Sequence, residues 1–124
     1  MFATSKIIAF VPTTDPLRSR AFYEGILGLH FVKDDGFALV FDANGIMVRV
    51  AKGRDFKPAQ YTILGWQVTD IENALPEIAM KGVRFEQFGL PGQDKMGIWT
   101  APNGDKVAWF KDPDGNTLGI SQHV

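Results

Sequence analysis

Two stretches of the chain, IAFVPTTD (Ile8–Asp15) and ILGWQVTD (Ile63–Asp70), decide its fold. Each is typical of an apolar strand that runs into a Thr-Asp pair, and aspartate is a residue that caps the start of a helix. Apolar residues at helical spacing follow each aspartate, and each helical pattern ends at a glycine before an apolar residue, Gly28-Leu29 and Gly82-Val83. Two matches in the same order predict a duplicated chain.

Short apolar runs after each predicted helix indicate further strands. In the first half they are Leu29–Val32, Phe37–Phe41 and Ile46–Val50, and in the second half they are Val83–Phe88, Gly97–Thr100, Lys106–Lys111 and Leu118–Gln122. Pro76 falls inside the second helical pattern, so we expect it in the first turn or expect the helix to begin later. The polar loop from Lys52 to Gln60 divides the halves, giving module one at about 1–52 and module two at about 61–124 of one domain, 1–124.

Composition excludes several classes of protein. The 124 residues carry 13 basic and 14 acidic side chains, a net charge of -1, which argues against nucleic acid as a partner. The absence of cysteine excludes disulfides, thiolate nucleophiles and cysteine-based metal sites. The longest apolar run, Ile7–Val11, is too short to cross a membrane, and the N-terminus lacks the apolar core of a signal peptide. We therefore expect a cytoplasmic protein with no membrane partner.

Three motifs resemble those of a known superfamily. They are Val11-Pro12-x-x-Asp15, Ala21-Phe22-Tyr23-x-x-x-Leu27-Gly28-Leu29, and Phe110-Lys111-Asp112-Pro113-Asp114-Gly115-Asn116. Together they are similar to the vicinal oxygen chelate superfamily, which includes glyoxalase I, the bleomycin-resistance proteins and the extradiol dioxygenases. The resemblance implies an α+β fold in which two βαβββ modules form a curved mixed sheet around a concave pocket. It also implies a homodimer.

Metal enzymes of that superfamily hold their metal at four pseudo-symmetric positions, and the resemblance implies where these fall here. They correspond to Ile8, Ile63, Gly119 and a position near Arg49, with Met47 as the alternative register. None of these side chains is a plausible ligand for a divalent metal at such a site. We therefore expect neither a metal nor a cofactor. His30 and His123 are expected at the surface, with no Ser/His/Asp set to make a nucleophile.

Strand alternation predicts which side chains face the pocket. Phe37, Leu39 and Phe41 share one face, and the resemblance to glyoxalase-like members implies that this face lines the pocket. Arg49 is expected to reach solvent, to pair with an acid such as Asp42, or to meet an anionic ligand. Trp99 and the loop from Gly89 to Met96 form a lid or a mobile connection. The residues expected to bind ligand are Phe10, Phe37, Leu39, Phe41, Met47, Arg49, Gln67 and Trp109.

Three functions remain open at this point. The first is a metal-free protein that binds an apolar or aromatic small molecule, like the drug-sequestering branch of the superfamily. The second is an enzyme, either a lyase, isomerase or dioxygenase with displaced metal ligands or a metal-free catalyst that uses acids such as Glu86 or Asp42. The third is a structural dimer whose pocket is filled by its own side chains. The sequence assigns no catalytic residue.

Overall fold

Each half of the chain builds its own four-stranded mixed sheet, as seen in a computed structural model that describes residues 1–124. The two units are Met1–Lys57 and Pro58–Val124. The first contains a short 3-10 turn (Phe2–Thr4), β1 (Ile8–Thr13), α1 (Pro16–Arg20), a π-helical turn (Ala21–Ile26), β2 (His30–Asp34), β3 (Ala38–Ala43) and β4 (Ile46–Lys52). The second contains β5 (Thr62–Gln67), α2 (Ile71–Met80), β6 (Trp99–Thr100), β7 (Lys106–Lys111) and β8 (Thr117–Gln122).

The two sheets have the same topology. The strand orders are β1-β4-β3-β2 and β5-β8-β7-β6, and in each sheet the first strand of the unit runs parallel to the last. The other pairings are antiparallel. The predicted α+β class and the duplicated βαβββ module are therefore confirmed. None of the helices has the length and apolar character needed to cross a lipid bilayer.

The first helix begins as predicted but changes its winding. The carboxylate of Asp15 accepts a hydrogen bond from the Arg18 amide at 3.2 Å, and Pro16 occupies the first helical position. From Ala21 the helix widens into the π-helical turn, which holds more residues per turn than an α-helix. Tyr23 in this turn is fully buried, whereas Leu17, the first apolar residue of the helical pattern after Asp15, is 84% exposed.

Pro76 lies neither in the first turn of α2 nor before a later start. Asp70 fixes the beginning of the helix, because its carboxylate accepts the Asn73 amide at 3.3 Å. Pro76 is therefore the sixth residue of a ten-residue helix. A proline there removes the one hydrogen bond that its own nitrogen would have donated, and the helix continues to Met80 around that gap.

The strand predicted at Val83–Phe88 is reduced to one bridge between Phe85 and Phe110. The Glu86 amide still bonds the Trp109 carbonyl at 2.8 Å, but the Phe88 amide donates to the Gln93 side chain at 3.0 Å. Because a side chain takes that donor, no ladder continues along β7. The short strand β6 occupies the edge of the sheet instead.

The Asp-Pro-Asp-Gly-Asn motif closes the turn between β7 and β8. One oxygen of the buried Asp112 carboxylate accepts the amides of Asp114 and Asn116 at 3.0 and 2.9 Å. The other oxygen accepts the side-chain amide of Asn116 at 2.8 Å. Gly115 has a φ of +87°, a conformation that L side chains rarely adopt. Three of the residues that carry the family resemblance therefore act by holding the backbone in shape.

A second aspartate organises the loop between β2 and β3. Asp35 accepts the amides of Phe37 and Ala38, both at 2.9 Å, and its other oxygen accepts the Arg49 guanidinium at 2.7 Å. Arg49 first, and the two amides after it, lower the pKa of Asp35 from 3.8 to about 2. This ion pair links the loop to β4 across the sheet.

We expect Asp112→Ala to lower the free energy of unfolding by about 2 kcal/mol or more, since it leaves the buried backbone amide of Asn116, the part-buried amide of Asp114 and the Asn116 side-chain amide without a charged acceptor. Urea unfolding followed by circular dichroism measures the loss. Asp55→Ala is the matched control, because it removes the same charge from an exposed loop residue. Equal unfolding midpoints for the two variants would contradict this role of Asp112.

The Asp35–Arg49 pair predicts a particular acid sensitivity. The folded-state pKa of Asp35 lies below its ordinary value, so the pair stabilises the fold above pH 3.8, and this contribution disappears as the pH falls through about 2. The free energy of unfolding of wild type should therefore exceed that of Asp35→Asn at neutral pH, and the gap should close over that acid range. A gap that does not change with pH would refute the assignment.

Candidate functional site

The first sheet has one buried face and one open face. Val11 on β1 and Val48 and Val50 on β4 are buried, while the alternate residues on both strands are more exposed. The register pairs Ile8 with Met47 and Phe10 with Arg49, so these four side chains share the open face. Three of the residues expected to bind ligand, Phe10, Met47 and Arg49, therefore lie on one face. Whether they bind a ligand stays a prediction.

The open face of the first sheet contains an apolar groove of about 280 Å³. Phe10 on the same face is 63% exposed, an unusual state for a large aromatic side chain in a strand. The groove is lined by Lys6, Ile7, Ile8, Val32, Val40, Phe41, Asp42, Gly45 and Met47. Its polar side chains, Lys6 and Asp42, are both exposed to solvent.

The expected pocket face of β3 is the buried face, although Phe41 also borders the groove. Leu39 pairs with Val50 and Phe41 with Val48, which places both on the buried face. The Phe41 ring lies 6.0 Å from that of Tyr23. Phe37 precedes the strand and is 79% exposed. The run from Phe37 to Phe41 is apolar throughout, so alternation alone gives no face, and pairing with β4 decides it.

Val40 takes the place on the open face that had been expected of Leu39 and Phe41. It pairs with Arg49 and lines the groove, yet it is almost fully buried. Arg49 does pair with an acid, but the acid is Asp35 and not Asp42. Because Arg49 has a carboxylate partner within its own unit, an anionic ligand is not needed to neutralise it.

The second sheet also has an open face. The register places Gly65 of β5, Gly119 of β8 and Trp109 of β7 in one row. The next row contains Gln67, Ser121 and Val107. Gln67 and Trp109, which are also expected to bind ligand, therefore lie on the same face, and their binding role stays a prediction. On the opposite face Trp66 stacks on Phe110 with ring centres 6.4 Å apart.

Trp109 is the centre of an aromatic cluster on the open face of the second sheet. Its ring lies 5.5 Å from that of Phe88 and 6.4 Å from that of Trp99. Its Nε1–H donates to the Thr62 hydroxyl at 3.0 Å, which fixes the orientation of the indole. We call Phe88, Trp99 and Trp109 the aromatic wall.

Beside the aromatic wall two paired positions of the sheet, Gly65 and Gly119, carry no side chain. A Cβ on Gly65 would lie 3.1 Å from the Gly119 carbonyl oxygen, tighter than nearly all real contacts. A Cβ on Gly119 would lie 3.4 Å from the Thr62 methyl and 3.6 Å from the Trp109 ring. Gly65 is exposed, whereas Gly119 is buried under the Thr62 methyl and the Trp109 ring. We call this pair of glycines next to Trp109 the glycine floor.

The loop expected to be a lid or a mobile connection is tied down by two side chains. Gln93 donates to the carbonyls of Glu86 and Gly97, both at 2.9 Å. The Asp94 carboxylate accepts the amides of Met96 and Ile98, again at 2.9 Å. These bonds hold the loop that carries Phe88 and Trp99 against the edge of the sheet. These hydrogen bonds therefore hold Phe88 and Trp99 of the aromatic wall in place.

The four positions that the resemblance assigns to metal ligands do not fit a metal. Ile8, Ile63 and Gly119 offer no donor atom, and neither Arg49 nor Met47 is a suitable ligand for a hard divalent ion. Nowhere does the chain bring together three His, Cys, Asp or Glu side chains in a group that could hold a metal ion. No reaction step can be assigned to a metal held by these residues.

One expectation about the histidines is wrong. Both are exposed, as predicted, but His123 is linked to a serine and an aspartate. Its Nε2 lies 2.9 Å from the Ser121 hydroxyl, and its Nδ1 lies 2.9 Å from an Asp105 carboxylate oxygen. The signal in the sequence was Ser-x-His at the end of a strand, where alternation puts both residues on one face. The aspartate comes from the turn before β7, and only the pairing of β7 with β8 brings it close.

The fold recurs in solved structures of low sequence identity. A glyoxalase family protein from Bacillus anthracis superposes with a TM-score of 0.74 at 16% identity, covering 98% of this chain and 96% of that one. A lactoylglutathione lyase from Agrobacterium tumefaciens gives 0.70 at 17% identity, covering 96% and 93%. A superfamily member from Sphaerobacter thermophilus gives 0.72 at 22% identity, covering 99% and 100%.

Among the curated proteins none matches this chain significantly. The family model of the Glyoxalase/Bleomycin resistance protein/Dioxygenase superfamily, in contrast, matches residues 6–120, nearly the whole length. The match covers both units and all three motifs that carried the resemblance. The chain therefore belongs to the Glyoxalase/Bleomycin resistance protein/Dioxygenase superfamily.

Proposed function

We propose that this chain binds an apolar or aromatic small molecule without the help of a metal ion, on the open face of the second sheet. The single observation that carries the proposal is the juxtaposition of Trp109 with the floor of Gly65 and Gly119. Gly65 is exposed and has no side chain to keep a flat ring away from the backbone, while Gly119 lets the Trp109 indole pack close to the sheet. The indole beside the floor then offers it an aromatic contact.

The polar groups around the glycine floor suit such a ligand. Gln67 lies in the row after Gly65 and its side-chain amide has no hydrogen-bond partner within the chain. Ligand sites commonly combine an apolar surface with a few polar groups that fix orientation. A ligand with one hydrogen-bonding substituent on an aromatic body therefore matches this face best.

The open face of the first sheet supports the same class of ligand. Ile8, Phe10 and Met47 expose apolar surface beside a groove of about 280 Å³, and Arg49 is neutralised by Asp35. An apolar molecule is therefore favoured over an anion on this face. The homodimer that the resemblance implies stays a prediction, as does the cytoplasmic location.

The alternative function is a lyase, isomerase or dioxygenase of the glyoxalase type with displaced metal ligands. It is supported by the fold that the chain shares with the Agrobacterium lactoylglutathione lyase. The sequence identity of 17% supports a common fold and not a common activity. The side chains at the assigned ligand positions weigh against it, because none of them is a suitable donor for a divalent ion.

Trp109→Ala should weaken binding of the fluorescent probe anilinonaphthalene sulfonate by about tenfold, the equivalent of 1.4 kcal/mol, because it removes the indole beside the glycine floor. Titration calorimetry measures the affinity. Trp109→Phe keeps an aromatic ring and should retain most of the binding. Met80→Ala is the control for nonspecific adsorption, since it removes an exposed apolar side chain at the end of α2 in the same unit. Equal losses in Trp109→Ala and Met80→Ala would overturn the proposed site.

Elemental analysis of protein purified without chelator should find no stoichiometric zinc, nickel, manganese or iron, for want of suitable ligands. Dialysis against a chelator should leave both the thermal midpoint and the probe affinity unchanged. A sample incubated with each metal and then dialysed is the control for weak uptake. One tightly held metal per chain would support the enzymatic alternative.

A further inference from the structure

Ser121, His123 and Asp105 form a continuous chain of hydrogen bonds on the second unit. The Ser121 hydroxyl lies 2.9 Å from His123 Nε2, and His123 Nδ1 lies 2.9 Å from Asp105 Oδ2. An ionised carboxylate can only accept, so Nδ1 carries a proton, and in the neutral imidazole Nε2 then presents its lone pair to the serine. That is the tautomer in which an imidazole acts as a general base toward a hydroxyl.

The Asp105 carboxylate, the last member of this series of hydrogen bonds, is itself held in a fixed orientation. Asp105 Oδ1 accepts the backbone amide of Val124 at 2.9 Å, leaving Oδ2 for His123. The Val124 amide first, then His123 and Asn103, lower the pKa of Asp105 below its ordinary value. Asp105 is thereby held as an oriented anion, which suits a residue that positions an imidazole.

The surroundings of Ser121 suit an attacked carbonyl group. Gln67 is its register partner on β5, and the free Gln67 side-chain amide can donate to a negatively charged oxygen formed next to Ser121. Gly119, two residues earlier on β8, pairs with Trp109 and is buried beside its ring. A reacting group beside Ser121 would therefore have its body against the aromatic wall.

We propose that Ser121 is a nucleophile that hydrolyses small carboxylic esters, with His123 as its general base and Asp105 as the positioning residue. Ser121 Oγ bonds to the ester carbonyl carbon while its proton passes to His123 Nε2. The bond from that carbon to the leaving oxygen then breaks, and His123 returns the proton to the departing alcohol. Water, deprotonated by His123, attacks the acyl-serine, the bond to Oγ breaks, and Ser121 recovers its proton. The net reaction consumes one water and gives an acid and an alcohol.

The preferred substrate class is an aryl ester. This preference rests on the proposed function, because it requires the aromatic wall and the glycine floor to receive the ring. The nucleophilicity of Ser121 does not rest on the proposed function, since it follows from the hydrogen bonds to His123 and Asp105 alone. The two claims therefore fail separately: the Trp109 variants test the binding surface, and a small reagent with no aromatic group tests the serine.

To test the proposal, the protein is treated with an alkyl fluorophosphonate, and the adduct is mapped by peptide mass spectrometry. The rate of p-nitrophenyl acetate hydrolysis is measured in parallel. We expect the adduct on Ser121 and an ester hydrolysis rate about a hundredfold lower in Ser121→Ala and His123→Gln, within the range for a positioned general base. His30→Gln and Ser5→Ala are the matched controls, because both residues are exposed and take no part in the Ser121–His123–Asp105 hydrogen bonds. They should react and hydrolyse like wild type.

The positioning role of Asp105 must be tested with a measurement that the loss of a purely structural residue would not change. Asp105→Asn should slow labelling of Ser121 while the thermal midpoint stays within that of the controls, and Asp105→Glu should restore part of the rate by keeping the carboxylate. The adduct in the wild-type protein is informative even if a variant fails to fold. An unmodified Ser121 in the wild type, or labelling that is equally fast in His123→Gln, would overturn the proposal.

Discussion

The pairing of the first strand of each unit with its last is the constraint on which the rest of the structure depends. β1 runs parallel to β4 and β5 parallel to β8, and each pairing fixes which side chains share a face. In the first unit it aligns Phe10 with Arg49, and in the second it aligns Gly65 with Gly119. A shift of one residue would bury these positions and expose the core. The open faces, and every site argued from them, follow from that register.

The duplicated scaffold carries two different surfaces. The first open face is apolar, with an arginine that is already neutralised inside its own unit. The second combines the aromatic wall, the glycine floor and a serine bound to a histidine. The same strand order therefore does not impose the same chemistry, since function resides in the side chains that a fold presents. This divergence explains why superfamily membership by itself leaves the ligand open.

The motifs by which the chain is recognised are used to shape its backbone. Asp15 and Asp70 cap helices, and Asp112 with Asn116 closes a turn through buried hydrogen bonds. Asp35 does the same for a loop and adds an ion pair. Residues of this kind specify a fold whether or not a metal is bound, because the groups they satisfy are backbone amides. A chain with no suitable metal ligands can therefore retain the family's sequence pattern.

The sequence by itself determined the α+β class, the duplication, the start of the first helix and the sheet faces of Phe10, Met47, Arg49, Gln67 and Trp109, because caps, glycine stops and clear strand alternation are local signals. The tertiary structure alone decided the rest. Leu39 and Phe41 face the core because pairing with β4 sets the face of a uniformly apolar strand. Arg49 meets Asp35, and His123 meets Asp105, because a turn and a strand distant in sequence come together. Such partners depend on long-range register, which no local pattern encodes.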